Sequence, residues 1–144
     1  MPSVVRLEIP ARRDHLALVR LVVSGAAAIE RLVPARRLED LRLAVSEACA
    51  NAVDAQLEAD PDVPLQVDLE LAEGWVAVTV TDHAGGFEVA AVDPIPGATD
   101  PQRLSHERGL GIPLMRSLVD EVTFTPTGDG TAVRLVVRNP EATG

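Results

Sequence analysis

The hydrophobic period switches from helical to two in the middle of this chain, and that switch constrains its possible folds more than any other feature. Between Arg37 and Gln56, Leu41, Val45, Ala48, Cys49 and Ala52 fall at i, i+4, i+7, i+8 and i+11. This is one apolar stripe on a long amphipathic helix. Between Leu65 and Asp82 the period becomes two. Leu65, Val67, Leu69 and Leu71 alternate with Gln66, Asp68 and Glu70, and Glu73-Gly74 provides a turn. Val76, Val78 and Val80 then carry the inward face of the return strand. A long helix followed by a half-buried hairpin calls for a sheet with helices laid on one face.

The remaining segments fit that plan. Residues 4–9 read as a strand closed by Pro10. Leu18, Val19, Val22, Val23, Ala26 and Ile29 place a helix from Asp14 to about Leu32, ended by Pro34. Asp60 to Pro64 is a loop. A third helix is expected from about Pro113 to Val122, followed by strands over 123–125 and 131–138 joined across Gly128-Asp129-Gly130. The expected fold class is α+β, a two-layer sandwich with a mostly antiparallel sheet, in a single domain over residues 1–144. Residues 88–107 hold Pro94, Pro96, Gly97 and Pro101 without any period. A loop of that length inside a compact domain is often a functional lid.

Composition removes several chemistries. The 144 residues carry a net charge of −9, and all 13 basic side chains are arginine. Without lysine there is no Schiff-base chemistry and no Walker A loop. The acidic balance argues against direct nucleic-acid binding. Any bound anion must be held by arginine, backbone amides or a metal ion. Cys49 is the single cysteine, so no intrachain disulfide forms. No apolar run approaches the roughly 18 residues of a membrane span, and the N-terminus has no signal pattern, so a cytoplasmic, non-membrane protein is expected.

Three constellations carry chemistry. Glu47 and Asn51 share one helix face at i, i+4, with Asp40, Asp54 and Glu58 near it. An amide oxygen at Asn51 suits Mg²⁺, which keeps few protein ligands, and Glu47 suits a general base. The alternative is a solvated polar face. Asp82 is in phase with Val76, Val78 and Val80, so its carboxylate points inward and needs a partner. An adenine amino group would satisfy it; an Asx-turn cap would also explain an aspartate there. Gly85 and Gly86 follow and permit positive φ. Finally, Arg108-Gly109-Leu110-Gly111-Ile112-Pro113 precedes the third helix, where exposed amides and the helix dipole favour phosphate. Arg103 and Arg108 would add charge-assisted contacts. His15, His83 and His106 have no metal-ligand spacing with Cys49, and Ser46 has no activating histidine.

The order of Glu47-Ala-Cys-Ala-Asn51-Ala, Asp82-His-Ala-Gly-Gly86-Phe and Arg108-Gly-Leu-Gly-Ile-Pro-Leu-Met115 resembles the N, G1 and G2 boxes of the Bergerat (GHKL, histidine-kinase-like ATPase) fold. That resemblance implies a mixed, mostly antiparallel sheet. The small size and the wording around Ser46 to Asn51 are similar to the anti-sigma-factor serine/threonine protein kinases of bacterial partner switching. It implies ATP and Mg²⁺ as cofactors, Glu47 as catalytic base, Asn51 as Mg²⁺ ligand and Asp82 as the adenine-recognising carboxylate. Gly86, Arg108, Gly109 and Gly111 would shape the nucleotide pocket. It also implies a sigma factor and an anti-anti-sigma STAS protein as partners, a homodimer, and Arg20 on the partner-binding surface. Two departures stand out. Ala84 occupies the first glycine position of Asp-x-Gly-x-Gly, and Ala55-Gln56 stands where the family commonly has His-Gly. The first motivates an alternative function, a non-catalytic nucleotide-binding module that sequesters a sigma factor or another regulatory partner.

Overall fold

A computed structural model describes residues 2–29, 31–85 and 107–140, with the side chains of residues 107–111 left aside. Five strands form one sheet: β1 (Ser3–Ile9), β2 (Leu65–Ala72), β3 (Trp75–Asp82), β4 (Glu121–Pro126) and β5 (Thr131–Arg138). Their order is β1-β2-β3-β5-β4, and each described pairing is antiparallel. Helices α1 (Leu16–Gly25), α2 (Ala35–Ala59) and α3 (Glu107–Leu118) complete the chain order. β3 is the central strand, and α2 packs on both it and α3.

The period-two reading of β2 and β3 matches the burial of the hairpin. Leu65, Val67, Leu69, Val76, Val78 and Val80 lie in the main core, while Gln66, Asp68 and Glu70 point the other way. Gly74 takes a φ of +87° in the connecting turn, a conformation that suits glycine. The α2 stripe of Leu41, Val45, Ala48, Cys49 and Ala52 is buried throughout. Truncating Leu41 to alanine would cost about 2–5 kcal/mol, by lost transfer energy and the cavity left behind.

Helix boundaries depart from expectation at two places. The first helix does not run to Leu32. It ends at Gly25, tightens into a 3-10 turn over Ala26–Ala28, and the chain is extended at Ile29. Ser24-Gly25 is poor in helix propensity, and the N–H of Ile29 bonds back to the Ala26 carbonyl as a 3-10 closure requires. The change of pitch turns Ile29 out, and Leu18 also lies on the solvent side; both are about half exposed, whereas Val19, Val23 and Ala26 are buried. The third helix begins near Glu107, well before Pro113, and stops at Leu118, which frees Glu121 and Val122 for β4.

Arg37 ties the start of α2 to the end of α3. Its guanidinium donates to Asp40 at 2.7 Å, to the Leu118 carbonyl at 3.1 Å and to Asp120 at 2.9 Å. Partial burial tends to raise the Asp120 carboxyl, but the Arg138 backbone N–H and the Arg37 guanidinium outweigh it and hold the group below its ordinary value. A carboxyl depressed in the folded state stabilises above its unfolded pKa, and that contribution is lost as pH falls through the lower folded value. Arg37→Met should therefore lower Tm at neutral pH and flatten the acid limb of stability below about pH 4. Thermal melts across that range check this, and an unchanged acid limb would show that Arg37 is not what depresses Asp120.

Candidate functional site

The site grows from α2 and the end of β3. Glu47 and Asn51 lie one turn apart on α2, both half-buried, on the side away from the core stripe. Two of the carboxylates near them are held in ion pairs. Asp54 receives Arg13 through both oxygens at 2.7 and 2.8 Å, and Asp40 receives Arg37. Glu58 is exposed. Ser46 donates to the Arg42 carbonyl at 2.9 Å, the usual occupation of a helical serine. Among the described residues, no group of three or more His, Cys, Asp or Glu could hold a metal ion. A Mg²⁺ ion that takes one protein oxygen, with water and phosphates completing the octahedron, makes a smaller demand.

Asp82 ends β3 and is 7% exposed, pointing into the apolar layer as its phase requires. Its Oδ1 accepts from the Ala84 N–H at 3.0 Å and from the Thr131 N–H at 3.3 Å. The Asx-turn cap is therefore real, and it leaves the carboxylate buried at the strand end. Ala84 is not among the residues at positive φ, whereas Gly85 is, at +72°. Alanine at the first glycine position of the G1 pattern thus introduces no backbone strain. Gly85 donates its N–H to the Asp129 carbonyl at 2.7 Å, and the His83 ring approaches Asp129 at 3.0 Å.

Two further site residues come from β5 and the turn before it. Thr131 is the register partner of Asp82 and is 3% exposed. Its hydroxyl oxygen is buried without a hydrogen-bond partner among the described residues. An orphaned buried hydroxyl is costly unless a ligand or its water completes it. A carboxylate that accepts and a hydroxyl that both donates and accepts suit the edge of an amino-bearing heterocycle. Gly130 precedes it, and a Cβ there would overlap the Asp82 carbonyl and sit 2.9 Å from Oδ1. Only glycine allows the β4–β5 turn to lie against this carboxylate. Neither residue is marked by the sequence alone, because each acquires its role through pairing with β3.

The Gly-x-Gly segment does not precede a helix. The backbone from Glu107 onward is already α3, and Pro113 lies inside it. In a helix starting there the amide of Gly109 is still among the unsatisfied first-turn donors, while that of Gly111 lies deeper. The C-terminal half of α3 is anchored in the core through Met115, with Val119 buried just beyond it. This anchoring draws the preceding residues into register despite their composition. Proline and two glycines make that first half an intrinsically weak helix. The side chain of Arg108 lies outside the described residues, as do Gly86, Arg103, His106 and the lid up to residue 106.

Arg20 sits on α1 and is half-buried, not freely solvated. Burial pushes the Cys49 thiol up to about 12, with the Arg20 charge opposing that rise, so Arg20 lies toward α2. Cys49 is fully buried and is an inert core thiol at neutral pH.

A family model described as a histidine kinase-like ATPase domain matches residues 9–137. The serine-protein kinase RsbW of Bacillus licheniformis is 33% identical over 122 residues, covering 82% of this chain and 75% of that relative. RsbW of Halalkalibacterium halodurans is 34% identical over 126 residues, covering 84% and 75%. The chain belongs to the RsbW branch of the histidine kinase-like ATPase family. ATP binding goes with that family. The fold agrees with two solved structures. The RsbU and RsbW domains of a Mycobacterium tuberculosis protein superpose with a TM-score of 0.66 at 21% identity, over 94% of this chain and 32% of that one. A blue-light activated histidine kinase from Erythrobacter litoralis gives 0.53 at 22% identity, over 90% and 61%. No helix among the described residues is long and apolar enough to cross a membrane.

Proposed function

We propose that this RsbW-branch protein is a Mg²⁺- and ATP-dependent serine/threonine protein kinase that also acts as an anti-sigma factor. Its phosphoryl acceptor is an anti-anti-sigma protein of STAS fold, and the exchange of partners regulates transcription in the cytoplasm. The working unit is a homodimer, and Arg20 lies on the surface that meets the partners. One observation carries the nucleotide part of this reading: the buried Asp82 carboxylate beside the unpartnered Thr131 hydroxyl.

In this reading each site residue has a distinct role. Asp82 accepts from the adenine amino group, and Thr131 completes the contact with the base or with a water on it. Asn51 supplies an amide oxygen to Mg²⁺, which when bound screens the phosphate charge as it is redistributed. Glu47, one helical turn away with its Cβ about 6 Å from that of Asn51, takes the proton from the acceptor hydroxyl. The family resemblance assigns phosphate contact to Arg108 and to the amide of Gly109, and close backbone approach to Gly86 and Gly111. These donors replace the lysine that the chain lacks.

Incubation with Mg-ATP and the cognate STAS protein should produce phosphoserine or phosphothreonine on that protein, read by mass spectrometry. Tight ATP retention with no transfer would favour the sequestering module instead. Its motivation is weak, because Ala84 adopts the G1 turn without positive φ. Thr131→Val keeps the shape and removes the hydroxyl. ATP affinity should fall roughly ten-fold with Tm little changed, measured by calorimetry and thermal melts. Equal affinity would leave Thr131 as an ordinary strand residue.

A further inference from the structure

Gln56 is fully buried near the C-terminal end of α2, and its amide is used at both ends. The oxygen accepts the His83 N–H at 2.7 Å. The nitrogen donates to the Asp60 carbonyl at 2.9 Å and lies 3.4 Å from the His83 carbonyl. One side chain therefore grips both peptide groups flanking His83, the first of which it shares with Asp82. The same amide closes the end of α2, where the Asp60 N–H also returns to the Gln56 carbonyl at 2.8 Å. Buried amides whose hydrogen bonds are all made act as rigid spacers, because any displacement leaves polar groups unpaired in a dry interior.

We infer that Gln56 is a positioning residue for base recognition: it couples the helix carrying Glu47 and Asn51 to the peptide that orients the Asp82 carboxylate. It touches no nucleotide and acts through His83. From the other side, Asp129 and Gly130 restrain the same segment by the Gly85 N–H, the His83 ring and close packing on Asp82. The 82–85 turn is thus held between α2 and the β4–β5 turn. Without Gln56 only one of these two restraints remains, and Asp82 can pivot away from the base.

The inference rests on the nucleotide-site reading, and its test separates the two. Binding of Mg-ATP and Mg-ITP, which lacks the amino group at the base, is measured by calorimetry on the full chain and on Gln56→Met. The wild type should prefer ATP. If it binds neither nucleotide, the nucleotide reading itself fails. In Gln56→Met the preference for ATP should shrink by at least about five-fold, chiefly through weaker ATP binding. A merely structural role would lower Tm while leaving the ATP-to-ITP ratio unchanged, and that result overturns the inference. If the methionine variant does not fold, Gln56→Glu carries the test. Its carboxylate faces two carbonyl oxygens, and protonation restores a donor. Discrimination should then recover as pH is lowered, while the wild-type ratio stays flat. A pH-independent ratio in Gln56→Glu equal to that of the wild type also overturns it.

Discussion

Asp82→Asn should abolish the preference for ATP while leaving the fold intact. Oδ1 of Asp82 already accepts two backbone N–H groups, from Ala84 and Thr131, and the asparagine oxygen can take over both. The turn cap therefore survives. What changes is the second carboxylate oxygen, which becomes an NH2 group and, in the proposed site, would meet the adenine amino group donor to donor. Two unsatisfied donors in a nearly dry strand end cost about 3–4 kcal/mol, so ATP affinity should fall roughly a hundred-fold or more. A base with a carbonyl at that position presents the complementary acceptor, so ITP should lose far less and can overtake ATP. Competition binding of the two nucleotides, beside a thermal melt, measures this. If ATP affinity is unchanged, the aspartate serves only as the cap that closes the turn.

How much of this site is legible in the sequence depends on the range of the interactions that build it. The α2 stripe and the β2–β3 alternation are local, each set by residues within a few positions, and they read through directly to buried Leu41, Val45, Val67 and Val78. The inward direction of Asp82 follows from the same phase. Local signals misled where packing overrode them. Ile29 extends an apolar pattern that the 3-10 turn after Gly25 breaks, and Leu18 falls on the solvent side of α1, so both lie outside the core. Gly109, Gly111 and Pro113 read as a loop meeting a helix, yet α3 spans them because its second half is anchored through Met115. Two of the contacts that hold Asp82 and the residue after it are not legible. Thr131 reaches Asp82 across 49 positions and Gln56 reaches His83 across 27, through contacts that exist only once the sheet and α2 are assembled.

Glu47→Gln should separate binding from transfer. The side chain keeps its length and its place on α2, one turn before Asn51, so the amide oxygen proposed to bind Mg²⁺ is undisturbed. Glutamine has no basic site for a proton, and the acceptor hydroxyl must then attack without losing its proton to the enzyme. General-base assistance is typically worth 10²–10⁴-fold, so the transfer rate under saturating ATP and STAS partner should fall by about three orders of magnitude. ATP affinity should move by no more than roughly two-fold, because the proposed role of Glu47 is contact with the acceptor and not with the nucleotide. Single-turnover transfer with radiolabelled ATP, alongside calorimetric binding, distinguishes the two effects. A parallel loss of affinity would place Glu47 in the metal or phosphate shell. Unchanged transfer would mean that positioning and phosphate electrostatics suffice, as a loose phosphoryl-transfer transition state permits, and that the acceptor proton leaves by another route.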